Sequence, residues 1–123
     1  MKTERRAIAR YRAKLAVQID MSEYQFDAIT TEVSLRGLRV LCEGPVANTV
    51  FNQYIQVTPG ANIGANINIK VPNSRDMSDN IDCNARVISV NRIAQNRYMV
   101  GFKLIEMDPQ SLECWQGYIA IQR

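Results

Sequence analysis

Short stretches in which apolar and polar residues alternate constrain this chain most, because only a β-strand places every second side chain on one face. Residues 66–71 (NINIKV) show the alternation most clearly, and residues 14–20 (KLAVQID) repeat it. Further strands are predicted at 25–34, 37–42, 81–90 and 97–104, with turn-forming residues between them. Six strands joined in this way indicate a mostly β protein, either an antiparallel barrel or a sandwich, rather than an alternating α/β layout.

The period changes near the C-terminus, where the sequence predicts a single amphipathic helix over residues 108–122. Asp108 can accept hydrogen bonds from the free amides of a first helical turn, and Pro109 suits the first helical position. The apolar side chains that then share one face are Leu112, Trp115, Tyr118 and Ile119. We expect this face to pack on the strands.

The length of 123 residues fits a single domain over 1–123. We expect a basic arm at 1–13, a barrel at 14–104 and the C-terminal helix. An insertion at about 43–65 interrupts the barrel and holds three of the six glycines and two of the four prolines. No apolar run approaches the roughly 20 residues that span a membrane, and no apolar segment follows the basic N-terminus. We therefore expect a cytoplasmic protein without a transmembrane segment.

Catalysis and metal binding have few candidate residues. The chain has no histidine, which removes the commonest general base near neutral pH and a common zinc ligand. Cys42, Cys83 and Cys114 are far apart and form no CxxC pair, so we predict three reduced and mostly buried thiols. We expect a binding domain with no catalytic residue, no metal and no cofactor, rather than an enzyme.

Positive charge is concentrated at the N-terminus. Residues 1–14 carry six basic side chains and one acidic side chain, whereas the other 109 residues carry nine basic and eleven acidic ones. A positive arm on a slightly negative body indicates a partner that bears phosphate. This pattern leaves nucleotide, nucleic acid and anionic lipid open.

Two short motifs narrow these alternatives. Residues 6–10 (RAIAR) place two arginines four apart just before the first predicted strand, and Arg5 precedes them. Residues 32–37 (EVSLRG) lie at the corner between the next two strands. In order, separation and strand context the motifs resemble the PilZ family, whose signature is RxxxR followed by [D/N]xSxxG. The resemblance covers nearly the whole chain outside 43–65, and it implies a six-stranded, Greek-key-like antiparallel barrel with a C-terminal helix.

The resemblance implies that the ligand is cyclic di-GMP, a bacterial second messenger with two guanines and two phosphates. Arginine can bond bidentately with guanine O6 and N7 or with a phosphate, and a carboxylate at position 32 can accept from guanine N1–H and N2–H. The Ser34 hydroxyl can reach a phosphate or a base, and Gly37 permits positive φ and leaves space for the ligand. The ligand-binding residues carried over are Arg5, Arg6, Arg10, Glu32, Ser34 and Gly37.

The implied function is that of a ligand-responsive switch. Because Arg5 precedes RxxxR, the resemblance implies two ligand molecules per domain. Like charges in the arm keep it mobile without ligand, and the ligand orders it against the corner at 32–37. The surface presented to an unidentified protein partner changes as a result.

Two departures from the family pattern support a second hypothesis. Glu32 stands where Asp or Asn is usual, and Ser89 stands where many members carry a large side chain against the guanine. Both fit a degenerate adaptor that binds cyclic di-GMP weakly or not at all and acts through protein contacts in pilus assembly or motility. In that case Glu32 is a strand-end carboxylate that pairs with Arg36 or Arg39.

A third hypothesis is a small barrel that binds single-stranded nucleic acid. Such domains stack bases on surface aromatic residues along a basic groove. Tyr11 is the one aromatic residue next to the arginine motif, so this hypothesis is disfavoured.

Overall fold

The computed structural model of the chain describes residues 8–55, 57, 62–72 and 78–122. Its elements are β1 (Arg10–Arg12), β2 (Ala16–Met21), β3 (Tyr24–Ser34), β4 (Gly37–Glu43), α1 (Pro45–Phe51), a 3₁₀ turn (Asn52–Tyr54), β5 (Gly64–Pro72), β6 (Ser78–Ala94), β7 (Arg97–Met107) and α2 (Pro109–Ala120). The strands pair in an antiparallel sense in the order β1-β3-β2-β5-β6-β7-β4, and a further pairing of β3 with β4 closes the sheet. Strands β2 to β7 therefore form a closed six-stranded antiparallel barrel, which confirms the predicted fold class.

The core of the barrel follows directly from the alternation in the sequence. In β2 and β5 every second side chain is buried, and the side chains between them are exposed or half-buried. Each large aliphatic side chain that leaves water contributes about 1.5–3 kcal/mol to stability. The buried residues of these two strands are Val17, Ile19, Met21, Ala65, Ile67, Ile69 and Val71.

The segment between β4 and β5 begins as an ordered element. Helix α1 has proline at its first turn but no side-chain cap at Gly44, so tertiary packing rather than local signals holds it. The Phe51 ring lies edge-on to Phe26, with centroids 5.6 Å apart, and it also contacts Tyr98. The Tyr98 hydroxyl donates a hydrogen bond to Asn48 Oδ1 at 2.7 Å. Helix α1 thus packs its buried face into the hydrophobic core.

Helix α2 begins as the sequence predicts, and its inward face is the predicted one except at Leu112. The Asp108 side chain accepts a hydrogen bond from Ser111 N at 2.8 Å, and this bond lowers the pKa of Asp108. The buried stripe consists of Ser111, Trp115 and Ile119, spaced four apart. Leu112, which we expected on this face, is 41% exposed, so that part of the prediction is wrong.

The last two strands are longer than the alternation predicts. Strand β6 begins at Ser78 rather than at residue 81, and it continues to Ala94, beyond the predicted end at 90. Its pairing with β7 shifts between Val87 and Ser89 and again between Arg92 and Ala94, and such bulges break the two-residue period. No helix in the part of the chain that the structure describes is long and apolar enough to cross a membrane.

Candidate functional site

The corner between β3 and β4 is fixed by hydrogen bonds from several directions. Ser34 Oγ accepts from the Gly37 amide at 3.1 Å and donates to the Gly37 carbonyl at 3.2 Å. From α2, Trp115 Nε1 donates to the carbonyls of Ser34 and Leu35, at 3.2 Å each. The Leu104 amide of β7 donates to the Arg36 carbonyl at 2.8 Å. These bonds hold the corner to itself, to α2 and to β7.

Glycine is required at the corner by space rather than by backbone conformation. A Cβ atom added to Gly37 would lie 2.7 Å from the carbonyl oxygen of Phe102 on β7. We expected Gly37 to permit positive φ, but Gly44 is the glycine with positive φ in the described residues, so that reason is wrong. Close approach of β4 to β7 is the reason that the structure supports. Gly101 allows a similar approach, since its Cβ would lie 2.6 Å from Ser89 Oγ.

Strand β1 brings the end of the basic arm to this corner. It pairs with β3 so that Arg10 faces Ser34 and Arg12 faces Glu32. The sequence predicted no strand at these residues, whereas the structure shows Arg10–Arg12 paired to the barrel. The predicted mobility of the arm without ligand stays a prediction.

A buried threonine joins β1 to β2 across the gap between them. Thr30 Oγ1 donates to the Ala13 carbonyl at 2.7 Å and accepts from the Leu15 amide at 2.8 Å. The Thr30 side chain is fully buried, and the β3–β4 register shifts between Thr30 and Glu32. Its hydroxyl therefore binds both sides of the link between β1 and β2, beside the backbone bonds from Ala13 N to the Thr31 carbonyl and from Thr30 N to the Leu15 carbonyl.

The corner and β1 border a cleft of about 100 Å³ on the outer surface of the barrel. Glu32 Oε1 lies 4.0 Å from Arg10 Nη1 and 3.7 Å from Arg39 Nη1, so one carboxylate lies between two guanidinium groups. All three side chains are between 34% and 45% exposed. The cleft therefore carries one net positive charge at its rim and stays open to solvent. Its other lining residues include Ser34, Gly37, Ile88, Ser89 and Gly101.

Four of the six predicted site residues come together here, namely Arg10, Glu32, Ser34 and Gly37. Arg5 and Arg6 lie outside the described residues. The structure confirms the predicted pairing of Glu32 with an arginine of β4, since Arg39 is one partner, and it adds Arg10 as a second one.

Sequence reasoning did not assign Arg39, Ile88 and Gly101 to the site. Arg39 is two residues after Gly37 and so faces the same side of β4, which was an available signal. A glycine within the strand-like segment at 97–104 was another, because it marks a close backbone approach. Ile88 reaches the cleft through a bulge, which the sequence does not reveal.

A larger groove of about 710 Å³ lies on the outer face of β2, β5, β6 and β7. None of the described residues that line it is basic, and two of its carboxylates accept hydrogen bonds from asparagine amides on a neighbouring strand. Asn68 Nδ2 donates to Asp82 Oδ1 at 2.8 Å, and Asn84 Nδ2 donates to Glu106 Oε1 at 3.3 Å. A negative wall of this kind repels phosphate. Charge therefore favours the smaller cleft for an anionic ligand.

The described cysteines are free thiols of low reactivity. Cys42 and Cys83 are buried, as predicted, and Cys114 is partly exposed. Burial raises the pKa of Cys42 to about 12 and that of Cys83 to about 12, where the charge of Asp82 adds to the effect. The thiolate, which is the nucleophile, is therefore scarce at neutral pH. In the described ranges, no group of three or more Cys, Asp or Glu side chains could hold a metal ion.

Solved structures with the same fold are distant in sequence. The Bacillus subtilis inhibitor of motility (MotI/DgrA) aligns with 99% of this chain at a TM-score of 0.71 and 18% identity. PlzA of Borreliella burgdorferi, solved in complex with c-di-GMP, aligns with 94% at a TM-score of 0.58 and 9% identity. The chain spans about half the length of these two proteins, 53% and 50% respectively.

A further similar structure has nearly the same length. The PilZ domain of YcgR from Escherichia coli, solved with c-di-GMP, matches 97% of this chain and is itself covered to 92%, at a TM-score of 0.61 and 16% identity. No curated protein matches the sequence. The family model for the PilZ domain, however, matches residues 4–120. The chain therefore belongs to the PilZ domain family.

Proposed function

We propose that this chain is a receptor domain for cyclic di-GMP, which it binds in the cleft between β1 and the corner at 34–37. The observation that carries the proposal is the pairing of β1 with β3, because it sets Arg10 beside Glu32 and Ser34. Two structural neighbours were solved with this ligand, which supports the same choice here. The family match points to no enzyme family, so binding alone is the proposed chemistry.

Each residue of the proposed site has a chemical role. Arg5, Arg6 and Arg10 would donate to phosphate oxygens and to guanine O6 and N7. Glu32 would accept from guanine N1–H and N2–H, for which it exchanges one of its two arginine partners. Gly37 keeps β4 close to β7, which leaves the cleft floor free of a side chain.

Ser34 combines a structural role with the ligand contact that the sequence predicts. Its hydroxyl donates to the Gly37 carbonyl, so a direct hydrogen bond to a phosphate requires that the hydroxyl rotate. One acceptor lone pair remains beside the bond from the Gly37 amide. We infer that Ser34 acts first by holding the corner and only second as a ligand contact.

The switch that follows rests on the arm. The two phosphates would neutralise the basic side chains of the arm and hold it over the corner, which changes the surface near α2 that faces a protein partner. Arg5 leads us to propose two ligand molecules per domain.

The test is isothermal titration calorimetry with cyclic di-GMP on the wild type, Arg10→Ala and Arg92→Ala. We expect Arg10→Ala to weaken binding roughly 10- to 100-fold, the range for a lost bidentate arginine contact. Arg92→Ala is the matched control, since Arg92 is exposed on β6 and does not line the cleft. Equal loss in both variants would mean that only overall charge matters.

The degenerate adaptor remains the second candidate, because Glu32 and Ser89 both occupy the cleft. Absence of binding by the wild type at tens of micromolar would favour the adaptor. A large gain in affinity for Glu32→Asp would then show that the binding site has drifted from the family pattern.

A further inference from the structure

Arg39 occupies the centre of the row of side chains that crosses the cleft. On one side it pairs in register with Glu32 of β3, and on the other with Gly101 of β7. Gly101 in turn pairs with Ser89 of β6. The outward side chains along this row are therefore an acid, a base, none at all and a small hydroxyl.

The cleft beside Arg39 is lined by small groups and one aliphatic side chain. Gly101 contributes no side chain, and Ser89 Oγ fills the space where its Cβ would lie, 2.6 Å from that position. Ile88, which is 48% exposed, lies next to it, with Cγ1 3.5 Å from the same position. A guanidinium, a hydroxyl and an apolar side chain therefore border the cleft here, and the residue between Arg39 and Ser89 in the row has no side chain.

The Arg39 guanidinium keeps its donors available. Its distance to Glu32 Oε1, 3.7 Å, is that of an ion pair and is too long for a hydrogen bond. Both side chains of this pair are open to solvent, since Arg39 is 45% and Glu32 34% exposed. A ligand can therefore reach the planar donor edge or the face of Arg39 without breaking a hydrogen bond.

We propose that Arg39 is a further ligand-binding residue, and that it selects guanine by donating to O6 and N7 of one base. This inference rests on the proposed function, and it extends the site to a residue outside both sequence motifs. Adenine presents an amino donor at position 6 where guanine presents a carbonyl, so the same arginine disfavours adenine. The rigid fork of arginine is needed, because lysine offers a point charge instead.

The experiment measures dissociation constants for cyclic di-GMP and cyclic di-AMP on the wild type, Arg39→Ala, Arg39→Lys and Arg92→Ala. We expect Arg39→Ala to lower the affinity for cyclic di-GMP about tenfold and to leave that for cyclic di-AMP nearly unchanged. Arg39→Lys should resemble Arg39→Ala, and Arg92→Ala should preserve the selectivity. Thermal melting of each variant checks that it is folded.

The outcomes separate this inference from the proposed function. Wild-type binding of cyclic di-GMP with an unchanged selectivity ratio in Arg39→Ala would overturn the role of Arg39 alone. So would full rescue by Arg39→Lys, because charge would then suffice. A wild type that binds neither dinucleotide would overturn the proposed function and the assignment of Arg39 with it.

Discussion

The two halves of the cleft are held in place by different means. The corner at 34–37 is tied to α2, to β7 and to itself by backbone and side-chain hydrogen bonds, and Gly37 packs directly on β7. The opposite half is β1, three residues long, which depends on its pairing with β3 and on the side chain of Thr30. A ligand would therefore meet one wall held by hydrogen bonds to α2 and β7, and one wall held by the pairing of a three-residue strand and by one threonine hydroxyl. The conformational entropy lost on ligand binding would therefore come mainly from the arm.

The two largest effects are expected from Gly37→Ala and Thr30→Val, and the first of these forces a methyl group to within 2.7 Å of a backbone oxygen. Since that backbone cannot rotate away, β4 and β7 must separate, and we expect a loss of about 1–3 kcal/mol in the free energy of unfolding. Gly117→Ala is the control, because nothing lies within 4 Å of its added Cβ in the middle of α2. It should raise the free energy of unfolding by about 0.5–1 kcal/mol. A urea titration of both variants and the wild type measures these changes. Equal stability of the two variants would contradict a rigid corner.

Thr30→Val tests the half of the cleft that β1 forms. The change leaves the Leu15 amide and the Ala13 carbonyl without their side-chain partner in a buried place, which costs about 1–3 kcal/mol. Thr30→Ser keeps the hydroxyl and should retain most of the stability. In Thr30→Val, amide hydrogen exchange at residues 10–12 should accelerate relative to the wild type, and exchange at residues 37–43 should accelerate less. Uniform acceleration over both regions would mean that β1 has no separate stability.

Trp115→Phe is expected to have the smallest effect, about 1 kcal/mol, because it removes the two hydrogen bonds to the corner but keeps an aromatic ring in the core. The corner should loosen, and affinity for cyclic di-GMP should fall a few-fold. Tyr118→Phe, which preserves the stacking on Trp115 at 5.8 Å, serves as the control. An unchanged affinity in Trp115→Phe would show that α2 does not support the binding site.

Elements with local sequence signals could be predicted. Alternation of apolar and polar residues predicts the strands that form the barrel, and Asp108 followed by Pro109 predicts the start of α2. Strand β1 carries no such signal, since three residues of which two are arginines have no apolar period. Helix α1 lacks a side-chain cap and is held by packing of Phe51, which no local pattern reveals.

The candidate site divides in a similar way. Glu32, Ser34 and Gly37 belong to one continuous motif, so the sequence places them together. Arg39 meets Glu32 only through the register of β3 and β4, which shifts at a bulge after Thr30. The reason for Gly37 could not be read from the sequence either, because it depends on how closely β7 passes.

The most direct test follows backbone amide NMR signals during a titration with cyclic di-GMP. We expect large shifts at 10–12 and 32–39 and at Gly101, which together surround the cleft. Signals of Gln18, Asn66 and Asn84 in the acidic groove should stay in place. Shifts centred on the acidic groove, with the residues around Arg10 and the corner unaffected, would contradict binding in the cleft.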